Sequence, residues 1–356
     1  MKKITILGIL FIALILGCNN PGVQTSDNEE STKEIIDMTG RTVSVPEDVG
    51  SIVGIGPGAL RLLVYIEQQD KIAGVEEVET DIKRPYIMAN EDLSKLPLIG
   101  PSHGGDAELI MSQNPDVILW TYTSASDADR LQRQTGIPVI ALKYGNMGSE
   151  RETLFEALEI ASDITNSQEK ADETISYINH LIDDLNTRTK DAEKKNDVYV
   201  GGLAHRGSHG IGSTEPSYPP LEFLNTKNLA SGIDDNHAFV SVEKIIDWSP
   251  GIIFIDSQGY KISQDELSKA AFSSVEAIQN EELYRLWPYN WYTTNFETLF
   301  VNSYYMGSVL YPEEFSDISI EEKADDIYKN FVGEGLYEEM KQMYGELERI
   351  EEIVSD

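Results

Sequence analysis

Residues 167–195 constrain the fold most, because Ala171, Ile175, Ile178, Ile182 and Leu185 recur at alternating steps of four and three, the period of an amphipathic helix. Charged residues fill the intervening positions, and neither Gly nor Pro interrupts the run. The spacing predicts one continuous helix of roughly 40 Å at 1.5 Å per residue, longer than one domain layer needs. The chain carries the same phrase on both sides of it. Glu108-Leu-Ile-Met-Ser-Gln-Asn-Pro115 precedes the apolar run Val117-Ile-Leu-Trp120, and Glu243-Lys-Ile-Ile-Asp-Trp-Ser-Pro250 precedes Ile252-Ile-Phe-Ile255. In each copy a short helix opening on Glu ends into a buried strand, so the long helix reads as a strut between two similar lobes.

The flanking patterns fill in those lobes. Residues 35–46 read as a hairpin turning at Thr39-Gly40. Ile52-Val-Gly-Ile55 is a buried strand, followed by the turn Gly56-Pro57-Gly58 and a helix from Ala59 to Ile66, the strand–turn–helix unit of a parallel sheet. Further strands are expected at 72–75, 98–100 and 138–142, with 84–97 an irregular connection. Beyond the strut, 198–202 opens the second lobe, and helices are expected at 296–310, 320–331 and 335–354. A chain of 356 residues with 40% apolar content can fill two such cores.

The N-terminus sets the compartment. Met1-Lys2-Lys3 and the apolar run from Ile4 to Leu16 have the form of a signal peptide, too short for a conventional membrane span. The run closes on Ile15-Leu-Gly-Cys18, which resembles a lipobox, and Cys18 is the only cysteine; the expectation is a lipid on its thiol and no internal disulfide. The boundaries read from the sequence are 1–17 signal peptide, 18–34 flexible tether, 35–166 first lobe, 167–196 connecting helix and 197–356 second lobe with C-terminal helices. The net charge of −33 disfavours nucleic acid and anionic lipid surfaces as partners.

Taken in order, Asp37-Met-Thr-Gly-Arg-Thr-Val-Ser-Val-Pro46, Ile52-Val-Gly-Ile55, Ile72-Ala-Gly-Val75, Glu108 through Leu119, the strut and Glu243 through Pro250 resemble the class III periplasmic solute-binding proteins of ABC importers. The resemblance implies two Rossmann-like α/β lobes with parallel-type sheets, joined by one long rigid helix, with the ligand in the cleft between them. It implies a monomer without a cofactor. It also implies an extracytoplasmic site on the outer face of the cell membrane, a permease with its ATPase subunits as partners, and Glu108 and Glu243 as the carboxylates that pair with permease arginines. The cargo implied is a ferric siderophore, haem or a corrinoid, with a molybdate- or tungstate-type oxyanion or a His-coordinated metal as alternatives. The same fold also serves chelatases, yet no Gly-x-Ser-x-Gly, Walker loop or Rossmann fingerprint is present, so capture rather than turnover is expected.

Ligands of open α/β sheets bind outside the carboxyl ends of the strands. In the first lobe those ends carry Gly56, Pro57, Gly58, Ser102, His103 and Tyr122; ordinary turn chemistry is the competing reading of the glycines. In the second lobe the loop from Leu203 to Thr214 presents His205, Arg206, His209 and Ser213. Arg206 suits carboxylate, catecholate or oxyanion groups through its paired donors. His103, His205 and His209 are possible metal ligands or solvated loop histidines. Tyr218, Tyr289 and Trp291, with Trp287 and Tyr292, either wall a cleft for a flat ligand or belong to the core.

Overall fold

The computed structural model describes residues 31–195 and 197–351; the signal segment and Cys18 lie outside them. The hairpin forms from β1 (Thr32–Ile36) and β2 (Thr42–Pro46), antiparallel in register. Thr32, Lys33 and Glu34 therefore belong to a strand and not to the tether. Asp37 secures the hairpin. Its carboxylate accepts N–H bonds from Thr39 and Arg41 at 3.0 Å and, from the first sheet, Ala141 at 3.1 Å.

The first sheet contains β3 (Ile52–Ile55), β4 (Ile72–Gly74), β5 (Val117–Thr121) and β6 (Val139–Leu142), all parallel in the order β4-β3-β5-β6. Helices cover both faces, so β3 and β6 are buried along their whole length, which is why they read as unbroken apolar runs. Strand order reverses between β3 and β5, the position where open α/β sheets form their crevice. The expected strand at 98–100 is reduced to a single bridge between Val75 and Leu98. The stretch expected to be irregular holds a short helix, Pro85–Met88, and a 3₁₀ turn, Glu91–Lys95.

The second lobe has β7 (Val198–Gly201), a two-residue ribbon of β8 (Ser213–Thr214) and β9 (Ala238–Phe239), then β10 (Ile252–Asp256) and β11 (Leu283–Leu286). Its sheet is parallel in the order β11-β10-β7. The repeated phrase forms as expected in both copies. Helix Ala107–Ser112 leads to β5, and Val242–Trp248 leads to β10.

The long helix spans Gln168–Thr189, about 33 Å at 1.5 Å per residue, and stops before Lys195 was reached. Its last turn is closed from elsewhere in the chain: Asn225 Nδ2 donates to the Asn186 carbonyl at 3.0 Å and to Thr189 Oγ1 at 2.9 Å, supplying a partner that a free helix end lacks. The tail differs too. The expected helix 335–354 is confined to Tyr337–Tyr344, and Gly345 (φ 85°) turns the chain out of it. The tail then runs antiparallel beside β11, with Arg285 N–H on Glu348 O at 3.0 Å and Ile350 N–H on Leu283 O at 2.8 Å.

The helices Phe296–Leu310, Ile320–Val332 and Tyr337–Tyr344 also reach the first lobe. Asn90 Nδ2 donates to Val332 O at 3.2 Å, the Tyr65 and Phe331 rings meet edge-on at 5.0 Å, and Tyr344 donates to Lys83 O at 2.7 Å. One apolar cluster consequently runs through both lobes and includes Leu63, Ile178, Phe254 and Phe300.

Candidate functional site

Three loops at the carboxyl ends of the first sheet are tied together by one side chain. Glu76, 1% exposed, follows β4 and accepts the Gly56 N–H at 2.9 Å, the Gly104 N–H at 3.0 Å and the Tyr292 phenol at 2.6 Å. The glycine turn after β3 is sterically required. A Cβ on Gly56 would stand 2.8 Å from Thr121 O, and one on Gly58 would enter the Tyr144 ring, both at positive φ. The Gly56 amide, expected to face a ligand, is thus already turned onto an internal carboxylate.

The segment after β11 crosses from the second lobe to the first. Asn290 Nδ2 holds Ala204 O of the second lobe at 3.1 Å. On the first-lobe side, the Arg61 guanidinium, fully buried, donates to Thr294 O at 2.8 Å, to Trp291 O and Tyr292 O at 3.3 Å each, and to the Tyr144 hydroxyl at 3.0 Å. Tyr122, 60% exposed at the end of β5, meets Thr293 Oγ1 at 3.1 Å. Tyr292 and Thr293 hold φ of 53° and 64°, and His103, Tyr122 and Arg206 share this left-handed region. Five non-glycine residues in that region at one place mark a site where packing over-determines the backbone.

Between these walls lies a cavity of about 350 Å³, lined by Pro57 and His103 from the first lobe, Ala204, Arg206, Gly207 and Gln258 from the second, and the crossing residues Asn290, Trp291, Tyr292 and Thr293. Of the residues expected in the site, Pro57, His103, Arg206, Trp291 and Tyr292 come to this cavity. Gly56 and Gly58 shape the turn beneath it, Tyr122 stands at its rim, and Ser102 is half-buried outside its lining. His205 stacks on His237 at 4.2 Å, while His209 Nε2 lies 2.7 Å from His205 O. Ser213 is buried and bonds Leu203 O and His237 Nε2. These three brace the loop that presents Arg206. Burial and the neighbouring imidazoles push His237 down to about 4. Among the described residues no group of three or more His, Cys, Asp or Glu side chains is placed to hold a metal ion.

Tyr218 is buried edge-on to Tyr289 at 5.9 Å, its hydroxyl without a hydrogen-bond partner among the described residues, and Trp287 is in the core with its indole N–H on Gly345 O. Tyr289 donates to Glu215 at 2.6 Å and lines a second, smaller chamber instead. Burial raises Glu215 to about 7 and Asp256, at the end of β10, to about 8. A larger groove of about 730 Å³ lies elsewhere, between residues 88–96 and 334–339, and carries Asp70, Glu91, Asp92, Glu334 and Glu339 beside Lys95; it meets β4 at its amino end, Ile72, and not at the carboxyl ends of the strands.

Sequence reading passed over Glu76, Arg61, Gln258, Asn290 and Thr293. Two signals were available: a carboxylate two residues past the parallel strand β4, and an arginine inside the otherwise apolar helix Ala59–Tyr65, where an uncompensated charge is excluded. Glu108 and Glu243 are exposed in the first turns of their helices, which are capped by the side chains of Asp106 and Ser241.

A family model described as periplasmic binding protein matches residues 52–289. The molybdate-binding protein MolA of Haemophilus influenzae is 20% identical over 320 residues, which cover 83% of this chain and 90% of MolA. Its molybdate-bound structure superposes with a TM-score of 0.67 at 19% identity, over 85% of this chain and 98% of that one. A periplasmic solute binding protein from Veillonella parvula gives 0.70 at 19% identity, over 88% and 97%. CeuE from Helicobacter pylori, with Ni(II) bound, gives 0.61 at 18% identity, over 88% and 99%. The matched span begins at β3 and ends at Tyr289, and so takes in both parallel sheets and the long helix that joins them; the chain belongs to the periplasmic binding protein family, whose members capture solutes outside the cytoplasm for ABC transporters.

Proposed function

We propose that the inter-lobe cavity captures an anion, with Arg206 as its charged contact, and that a compact oxyanion of the molybdate or tungstate type is the ligand it suits best. One observation carries this reading: in a chain of net charge −33, the cavity is lined, among the described residues, by an arginine and a histidine and by no carboxylate. The Arg206 fork supplies paired donors for an oxyanion, and Gln258, Asn290 and Thr293 add neutral hydrogen-bonding groups. The volume of about 350 Å³ is near the lower end of ligand pockets, about 300–1,000 Å³, which favours a small anion over haem or a corrinoid. MolA, named for molybdate, agrees with this. A ferric siderophore is the second reading, supported by the aromatic pair Trp291 and Tyr292 on the wall; it requires the lobes to stand further apart.

In the same reading Cys18 carries a lipid that holds the protein to the outer face of the membrane, and Glu108 and Glu243 dock it on the permease. Calorimetric titration with molybdate, tungstate and a ferric catecholate tests the cargo. Molybdate or tungstate is expected to bind, with Arg206→Ala weakening it at least about tenfold, the equivalent of about 1.4 kcal/mol. Heat from the ferric complex alone moves the assignment to the second reading, and an unaltered affinity in R206A removes Arg206 from the site.

A further inference from the structure

On the other side of the crossing segment, Tyr289 and Thr294 wall a chamber of about 190 Å³ whose remaining walls come from residues 146–149 of the first lobe and from Glu215, Ser217, Pro219, Asn236 and the apolar Leu299 beyond them. Its electrostatics are the reverse of the anion cavity. Among the described residues Glu215 is its single charged lining residue, and no Lys, Arg or His lines it. Tyr289 occupies one oxygen of that carboxylate, Oε2; Oε1 has no hydrogen-bond or ion-pair partner among the described residues. Ser217 and Asn236 also line an outer groove of about 520 Å³ that carries Asp234 and Asp235, so a negative approach leads to a carboxylate between the lobes.

We propose that this chamber is a cation site for a small organic ammonium, held by Glu215 beside the ring of Tyr289 with Ser149, Ser217 and Asn236 as neutral partners. One carboxylate balances one positive charge. At about 30 Å³ per water, the volume equals about six waters, more room than a bare ion fills. Divalent metals seek several anionic or imidazole ligands, and no such group is present among the described residues. A quaternary or primary ammonium instead gains from a carboxylate and an aromatic ring together. The inference does not depend on which anion occupies the neighbouring cavity.

The test titrates the full chain with tetramethylammonium chloride, using neopentyl alcohol as a neutral compound of similar size, each without the anion. Saturable binding of the cation and not of the alcohol is expected. Glu215→Gln should weaken it at least about tenfold while leaving molybdate affinity and the melting temperature near wild type. The titratable groups around Glu215 are Tyr289, Tyr218 and Asp256, and residues 146–149 contribute none. Cation affinity should therefore fall as pH drops through about 7, where Glu215 takes up its proton. Equal binding of the alcohol, no saturation by the cation, or an unchanged affinity in E215Q overturns the proposal; should E215Q unfold, the wild-type pH profile decides, a flat profile counting against it.

Discussion

Tyr292, on the crossing segment, donates its phenol to Glu76 at 2.6 Å, and the same carboxylate receives the Gly56 and Gly104 amides. A single buried anion thus fixes the relative positions of three cleft loops. Tyr292→Phe removes one bond to a charged acceptor and is expected to cost about 1.5–3 kcal/mol. Glu76→Ala leaves two amides and a phenol without an acceptor and should cost at least twice as much. Urea unfolding measures both. A loss in E76A no larger than that in Y292F would mean that the amides find other acceptors and that the three-loop tie does not exist.

Arg61 should behave as a positioning residue for the same cavity. It contacts no cavity space itself, yet its guanidinium holds the carbonyls of Trp291, Tyr292 and Thr294. Lysine keeps the charge but has no planar fork. Arg61→Lys is expected to destabilise by about 2–4 kcal/mol and to weaken anion binding several-fold, because two of those residues form the cavity wall. Calorimetry beside thermal melting checks this, and a variant that melts earlier but binds as wild type would limit Arg61 to a structural role.

The contribution of Asp256 to stability should fall as pH rises from about 4 to about 8. Burial raises Asp256 from 3.8 to about 8, so between those values the folded chain holds a proton that the unfolded chain has lost. The unfolded state then binds fewer protons, and unfolding free energy declines as pH rises through this window. Below about 4 the contribution is fully present; above about 8 it is gone. Asp256→Asn keeps the acceptor for the Gln258 N–H and removes the titration. Its melting temperature should lose less than that of wild type between pH 5 and pH 9, and equal losses would show that Asp256 is ionised in the fold.

The parts of this architecture that depend on local periodicity were legible in the sequence. The strut, the two copies of the Glu-to-Pro phrase and the buried strands all follow from spacing of three and four or from unbroken apolar runs. What escaped depends on partners far along the chain. The long helix ends at Thr189 because Asn225 closes it, and nothing between 189 and 195 announces that. β11 was missed because Tyr284 and Arg285 interrupt its apolar pattern; both are half-buried between the sheet and the tail. The cleft loops were recognisable as strand ends, and Arg206 and His103 do meet across one cavity. Glu76 stayed hidden because a lone carboxylate carries no pattern; its three donors come from Gly56, Gly104 and Tyr292, spread over more than two hundred residues.

Glu108 and Glu243 give the last prediction. Each is exposed in the first turn of a short helix, one per lobe, and neither has an ion-pair partner among the described residues. A carboxylate there gains about 0.3–1 kcal/mol from the helix dipole, but the end N–H groups are already capped by Asp106 and Ser241. Local helix stability therefore gives little reason for a glutamate at both places, whereas two exposed carboxylates, one on each lobe, match a partner that presents a cation to each. Replacing both with lysine should cost no more than about 2 kcal/mol in stability through the two dipoles and should leave anion affinity unchanged, since neither residue lines the cavity. Uptake by cells carrying the cognate permease should be abolished, and each single Glu→Lys should lower it in part. Wild-type uptake by the double variant would remove both residues from the docking surface.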